Sequence, residues 1–101
     1  MNIEFFTLKV LEHLYEAKGF RDFHFTKAEF IKAFYELRRQ GKIPKIKIES
    51  VLRKLRDLAS QGNTVRYADY RGGSYYCDSA GLAVKLRYFY SCYNSKSNQK
   101  H

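Results

Sequence analysis

The sequence predicts a small α+β domain, and three observations lead to that class. The chain has 101 residues, the length of one domain. Apolar residues recur with the 3.6-residue period of an amphipathic helix in four segments. Between Thr64 and Cys77 the period changes to two, on either side of the turn residues Arg71, Gly72 and Gly73, which is typical of a β-hairpin.

The first two helices have clear sequence signals at their ends. Residues 2–18 form the first helix, with Gly19 as its C-cap. Thr26 and Glu29 form a capping box that starts the second helix, at about 27–39. The alternating aromatic segment 20–25 between them predicts a short strand. The predicted inner stripes are Ile3, Phe6, Val10, Leu14 and Ala17 in the first helix, and Phe30, Phe34 and Leu37 in the second.

The remaining elements follow the basic turn 41–47, which contains the only proline. A third helix is predicted from residues 45–48 to Gly62, with an apolar face of Ile48, Val51, Leu52, Leu55, Leu58 and Ala59. The hairpin strands are 64–70 and 74–77, and Asp78 or Ser79 caps a last helix at about 79–93. We expect one domain over residues 1–93 and a disordered polar tail at 94–101.

The charge of the chain indicates its class of partner. Nineteen Lys and Arg against ten Asp and Glu give a net charge of +9, which favours a polyanion, nucleic acid first and an anionic membrane second. No apolar run is long enough to span a membrane, and the N-terminus lacks the pattern of a secretion signal, so we expect a cytoplasmic protein. His13, His24 and His101 are not at ligand spacing, and no catalytic motif occurs, so we expect no metal, no cofactor and no enzyme activity.

The order helix, strand, helix, helix, hairpin, helix is the layout of a winged helix-turn-helix domain with an additional C-terminal helix. Residues 52–62 (LRKLRDLASQG) resemble the end of the recognition helix of winged-helix regulators. Residues 75–81 (YYCDSAG) resemble the Y-x-L-T-x-x-G passage of MarR- and PadR-type repressors, with Cys77 in place of Leu and Asp78 in place of the capping Thr. The resemblance implies sequence-specific binding to double-stranded DNA by a transcriptional regulator, and it extends to small basic regulators of archaeal viruses and plasmids, which would act in the host cytoplasm.

In such a domain the third helix enters the major groove and the wing contacts the adjacent backbone or minor groove. Ser50 and Arg53 lie opposite the apolar face of the third helix, and Arg53 could read a guanine. Asp57 lies beside them, and Arg53 could pair with it. The expected DNA-contacting residues are Lys45, Lys47, Ser50, Arg53 and Lys54 around the third helix, with Arg66 and Arg71 in the wing. The alternative is that these residues form a solvated basic face.

The last helix has two apolar faces, which predicts a homodimer that presents two recognition helices to a palindromic site. Leu82, Leu86 and Phe89 form one stripe, and the expected dimer contacts are Val84, Tyr88, Phe89 and Cys92. The alternative is deeper coverage of this helix by the first one. Because Cys92 lies about 20 Å along the helix from its start, next to Cys77, a disulfide within the chain requires a broken helix. The two remaining alternatives are a pair of free thiols and a disulfide between two chains.

Two other functions fit the same sequence. Tyr67, Tyr70, Tyr75 and Tyr76 in the hairpin could stack on bases, as in a module that binds RNA or single strands. A protein-interaction or assembly module could use its positive charge for solubility alone. No small-molecule ligand is evident in the sequence.

Overall fold

Four helices and three strands make up the described part of the chain, in the order α1 (Ile3–Ala17), β1 (Phe23–Thr26), α2 (Lys27–Arg39), α3 (Ile48–Gln61), β2 (Val65–Tyr67), β3 (Ser74–Cys77) and α4 (Ser79–Gln99). This computed structural model describes residues 2–69, 71 and 73–99, with side chains as far as Cys92. The predicted α+β class is confirmed, and the layout is compatible with that of a winged helix.

The helix ends follow from their capping residues. The side chain of Asn2 accepts a hydrogen bond from the N–H of Phe5 at 3.1 Å and starts α1. The predicted capping box of α2 is confirmed, since Thr26 and Glu29 each accept a hydrogen bond from the other's backbone N–H. At the end of α3, Gly62 has a φ of 71°, a left-handed conformation that glycine adopts without steric cost.

The sheet is antiparallel, with β3 between β1 and β2. Phe23 and Val65 are the partners of Cys77 from the two sides. Strand β1 begins three residues later than the predicted start at residue 20. The reason is that Phe20 (φ 62°) still belongs to the end of α1, where its N–H donates to the carbonyl oxygen of Tyr15 at 3.0 Å.

The connection between β2 and β3 is longer than the sequence predicts, because β2 ends three residues early. The carboxylate of Asp69 accepts hydrogen bonds from the N–H groups of Arg71 (2.9 Å) and Gly73 (3.4 Å) and from the Ser74 hydroxyl (2.8 Å). Side-chain hydrogen bonds of this kind compete with the strand ladder, and Asp69 therefore organises the described part of the loop. Tyr70 and Gly72 lie outside the described residues.

Helix α1 occupies the middle of the fold, where it packs against α2, α3 and α4. Its buried surface is therefore wider than the predicted stripe. Leu8, which is absent from that stripe, is fully buried, whereas Ala17, which belongs to it, is exposed. Phe25, Phe30, Phe34, Leu55 and Val65 are fully buried in the same core.

Two contacts attach the start of α4 to the rest of the fold. The Asp22 carboxylate accepts hydrogen bonds from the N–H (2.8 Å) and hydroxyl (2.7 Å) of Ser79 and from the Tyr76 hydroxyl (2.7 Å). These bonds, with those from Ser79 the strongest, lower the pKa of Asp22 to about 2. Gly81 meets the loop after α3, where an added Cβ would lie 3.2 Å from the Asn63 carbonyl oxygen.

Helix α4 is longer than the sequence predicts. Asp78 caps it, accepting from the N–H of Ala80 at 3.0 Å. Residues 94–99, expected to be part of a disordered tail, continue the helix to Gln99. No glycine or proline follows Gly81, so no residue of the tail interrupts the helical backbone. Residues 100 and 101 lie outside the described part.

Both cysteines are free, Cys77 buried in the sheet and Cys92 half-buried on α4, so the continuous helix separates them as expected. Burial raises the pKa of the Cys77 thiol to about 12, which keeps it protonated and unreactive. Among the described residues, no helix combines the length and the apolar character needed to cross a membrane.

Candidate nucleic-acid interface

The outward face of α3 carries the candidate base-reading residue. Val51, Leu55 and Leu58 are buried and fix the opposite side of the helix against the core. Arg53 and Asp57 are exposed, as the apolar pattern of this helix predicts, and Ser50 is half-buried. The orientation of α3 is therefore set by its aliphatic residues.

The ion pairing on this face differs from the expected one. Asp57 contacts Lys54, at 3.9 Å, and not Arg53. Both spacings, i,i+3 to Lys54 and i,i+4 to Arg53, bring side chains together on a helix, so the spacing alone does not decide between the two partners. Within the described part of the chain no hydrogen bond or ion pair engages the Arg53 guanidinium, so it remains available to a ligand.

The loop from Gln40 to Lys47 displays lysines by burying the residues between them. Ile43 and Ile46 are buried in the core, whereas Lys42, Lys45 and Lys47 are exposed. The N–H of Lys42 donates to the carbonyl oxygen of Leu37 at 2.9 Å, which closes the end of α2. Because buried isoleucines alternate with exposed lysines, the core fixes the backbone next to α3 that carries the expected DNA contacts Lys45 and Lys47.

Positive charge is concentrated in this part of the sequence. The segment from Arg38 to Asp57 contains eight Lys and Arg residues and two acidic residues, and so carries +6 of the net charge of +9. We call this segment, from the last turn of α2 through the loop to α3, the basic segment. A field of one sign over a small area attracts polyanions.

Four cations of the basic segment, Arg38, Arg39, Lys42 and Arg56, were missed as candidates from the sequence. Arg38 and Arg39 lie in the last turn of α2 and line a depression of about 510 Å³ with Lys45. Arg56 is exposed on α3, and its positive charge is close enough to interact with the Tyr75 hydroxyl of the hairpin. The density of Lys and Arg between residues 38 and 56 was the available signal.

The two arginines expected in the hairpin occupy different places. Arg71 is exposed in the loop organised by Asp69. Arg66 lies on the outer face of the sheet, because its neighbour Val65 points into the core, and its guanidinium stacks 4.7 Å from the centre of the Tyr76 ring. Arg66 is therefore exposed on the sheet and engaged by Tyr76, whereas Arg71 lies in the loop.

Two tyrosines of the hairpin, Tyr75 and Tyr76, are engaged in contacts within the domain. Tyr75 is buried and stacks on Phe25, with ring centres 5.2 Å apart. Tyr76 has Arg66 over its ring and the edge of His24 at 5.0 Å. Tyr67 keeps 41% of its surface exposed. Tyr70, the fourth candidate, lies outside the described residues.

The candidate dimer surface on α4 divides into an inner and an outer part. Val84 and Tyr88 are 62% and 65% exposed, respectively, as the second apolar face predicts. Phe89 points toward α1 instead, where its ring centre lies 5.7 Å from that of Phe5, and Cys92 is half-buried. Contacts with α1 thus cover one side of α4 and leave Val84 and Tyr88 uncovered.

The histidines form contacts within the domain. His13, expected on the solvent side of α1, contacts the Glu36 carboxylate of α2 at 2.9 Å, because α2 packs beside that face. This hydrogen bond lowers the pKa of Glu36. His24 packs against Tyr76, and among the described residues no group of His, Cys, Asp and Glu could hold a metal ion.

Comparison with known proteins yields no match: no family model fits the chain, and no curated protein and no solved structure is significantly similar to it. A proposal for the function therefore rests on the arrangement of the basic segment, the hairpin and α4.

Proposed function

We propose that this chain is a winged-helix protein that binds double-stranded DNA in a sequence-specific manner and acts as a dimeric transcriptional regulator. The observation that carries the proposal is the basic segment. It places the exposed, unengaged Arg53 on the outward face of α3, directly after a rigid loop of exposed lysines. A helix of this kind fits the major groove, where Arg can form two hydrogen bonds with guanine.

The element order supports the winged-helix part of the proposal. Helices α2 and α3 follow one another through the basic loop, and β2 and β3 form a hairpin on the C-terminal side of α3. The N–H of Lys27 donates to the Gly73 carbonyl oxygen at 3.2 Å, so the hairpin loop is held at the start of α2. Under this proposal the hairpin is the wing, and Arg71 is its contact with the DNA backbone.

Double-stranded DNA is favoured over single strands by the state of the aromatic residues. A stacking platform needs accessible ring faces. Tyr75 is buried, and the ring of Tyr76 is already engaged by Arg66 and His24. The charge of the basic segment remains available, and a duplex presents the denser row of phosphates.

The dimer part of the proposal rests on α4. Val84 and Tyr88 lie one helical turn apart and expose apolar surface that α1 does not cover. A second copy of the same helix would cover it with matching apolar surface, and a two-fold axis there would present two α3 helices to two half-sites.

Selection of bound sequences from a random duplex library tests the proposal. We expect a consensus made of two inverted half-sites, with binding that weakens as salt increases. Preference for single strands or RNA over the duplex would favour the alternative nucleic-acid module. Absence of any binding at low salt would rule out a nucleic-acid function and leave the assembly role.

A further inference from the structure

The depression at the end of α2 has a composition that α3 does not share. Its apolar surface comes from Tyr35, Ile43 and Pro44, and its cations are Arg38, Arg39 and Lys45. Tyr35 is 44% exposed, whereas Ile43 is buried beneath it. A ligand here meets a hydrophobic floor and a positively charged rim.

The cations of the rim are not neutralised by an ion pair. Glu36, which is close enough to Arg39 for their charges to interact, contacts His13 at 2.9 Å. No ion pair within the described residues involves Arg38, Arg39 or Lys45. The rim therefore presents three cations that no ion pair within the described residues engages.

The depression is continuous with the proposed DNA-reading helix. Lys45 belongs both to its rim and to the loop that enters α3 at Ile48. The backbone here is restrained, since the N–H of Ile46 donates to the Pro44 carbonyl oxygen at 2.9 Å and Ile46 itself is buried. A duplex bound by α3 would pass close to this rim.

We propose that the depression binds a sugar–phosphate segment of the DNA backbone, beside the groove that α3 enters. The phosphate would lie among Arg38, Arg39 and Lys45, and the apolar face of the deoxyribose would pack on Tyr35 and Pro44. This inference rests on the proposed function. It adds a backbone contact beyond α3 and the hairpin, and widens the footprint of each protomer on one side.

Hydroxyl-radical footprinting tests the inference directly, because the radicals attack exposed deoxyribose. We expect the wild-type dimer to protect the central region of the site and, for each protomer, one additional backbone region that flanks it. The double variant Arg38→Gln, Arg39→Gln should lose the flanking protection and keep the central one. Its slope of log affinity against log salt should fall by about two, since the dimer loses one phosphate contact in each of its two protomers.

The matched control is Arg21→Gln with Arg87→Gln, which removes two exposed arginines from the α1–β1 connection and from α4. It should keep the flanking protection and the salt slope, and circular dichroism should show both double variants folded. A wild type that binds duplex while Arg38→Gln, Arg39→Gln keeps its flank protection and slope overturns this inference alone. A wild type that binds no duplex overturns it together with the proposed function.

A mononucleotide distinguishes a backbone segment from a small ligand of the same chemistry. We expect deoxyadenosine monophosphate to bind the wild type far more weakly than duplex does. Tight mononucleotide binding that Arg38→Gln, Arg39→Gln abolishes, with duplex binding unchanged, would make the depression a nucleotide site and overturn the inference.

Discussion

The two halves of this domain differ in whether their lysines and arginines form ion pairs within the chain. In the half that contains α1 and α4, ion pairs engage three of the lysines within the chain. These pairs are Lys9 with Glu12 (2.8 Å), Lys18 with Glu29 (2.7 Å) and Lys85 with Glu4 (4.0 Å). In the basic segment, the one ion pair within the described residues is Lys54 with Asp57, at 3.9 Å.

This difference has more to do with binding than with stability. Exposed ion pairs contribute between zero and about 1 kcal/mol, so the paired half gains little stability from them. Their effect is to remove the field that a polyanion would feel on that side. The basic segment keeps its field, which orients a polyanion toward the outward face of α3. Unpaired cations therefore mark the proposed interface more clearly than the total charge does.

Salt dependence should show the largest effect of this difference. Because several phosphates would be neutralised, raising salt from about 50 to 200 mM should weaken duplex binding on the order of a thousandfold. Lys45→Ala in the basic segment should lower the slope by about one for each protomer, and so by about two for the dimer. Lys85→Ala, which removes a cation already paired with Glu4, should leave the slope unchanged. If the two variants had equal salt slopes, ion pairing of a lysine would not determine whether that lysine contributes to DNA binding.

The exposed face of α4 gives the second largest effect. Tyr88→Glu should produce a folded monomer, because the ring is 65% exposed and its loss spares the core. Loss of the second half-site should weaken binding to a palindrome about a hundredfold. Sedimentation and binding titrations measure both quantities.

Phe20→Glu is the matched control for Tyr88→Glu, since Phe20 is 66% exposed and lies on the connection after α1. It should leave the dimer and the affinity unchanged. A wild type that sediments as a monomer at micromolar concentration contradicts the dimer. A dimeric Tyr88→Glu variant with normal affinity moves the interface elsewhere, with α1 the next candidate.

Arg53 should show a smaller effect, confined to specificity. Arg53→Ala should weaken specific binding by about 1–3 kcal/mol and relax the preference at one position in each half-site. Arg53→Lys should lose the same preference but keep the salt slope, because the charge remains and the planar pair of donors is lost. Affinity measured on sequence-randomised half-sites separates the two. An unchanged preference in Arg53→Ala would exclude base reading by this residue.

The sequence predicted those parts of the fold that depend on local signals. The capping box of Thr26 and Glu29 and the stop at Gly62 each have a local cause, and both are confirmed. The errors in burial, at Leu8 and His13, come from contacts between distant segments, whereas the ends of β1 and β2 were missed because of local hydrogen bonds of Phe20 and Asp69. Gly81 lies at the start of α4, where the Asn63 carbonyl oxygen leaves little room for a side chain, and no local pattern contains that information.

The candidate site was predictable to a similar extent. The outward position of Arg53 follows from the apolar period of α3, which tertiary packing did not alter. Arg38 and Arg39 became candidates only when the fold placed them with Lys45 around one depression. Arg66 was expected in the wing with Arg71, and the alternation along β2 leaves it exposed on the outer face of the sheet, stacked on Tyr76.

The smallest effect concerns Asp22, which joins the sheet to the first turn of α4 in the half with internal charge pairing. Hydrogen bonds from Ser79 and Tyr76 lower its pKa from 3.8 to about 2. A depressed pKa means that the stabilisation is complete above pH 3.8 and is lost as the pH falls through about 2. Asp22→Asn should therefore melt below the wild type at pH 7, and the difference should narrow toward pH 2. The amide can still accept a hydrogen bond, so we expect a modest change in Tm with no change in the salt slope for DNA. If the difference in Tm between Asp22→Asn and the wild type stays constant from pH 7 to pH 2, the charge of Asp22 does not stabilise the attachment of α4. If the salt slope of DNA binding changes, Asp22 contributes to the proposed DNA interface.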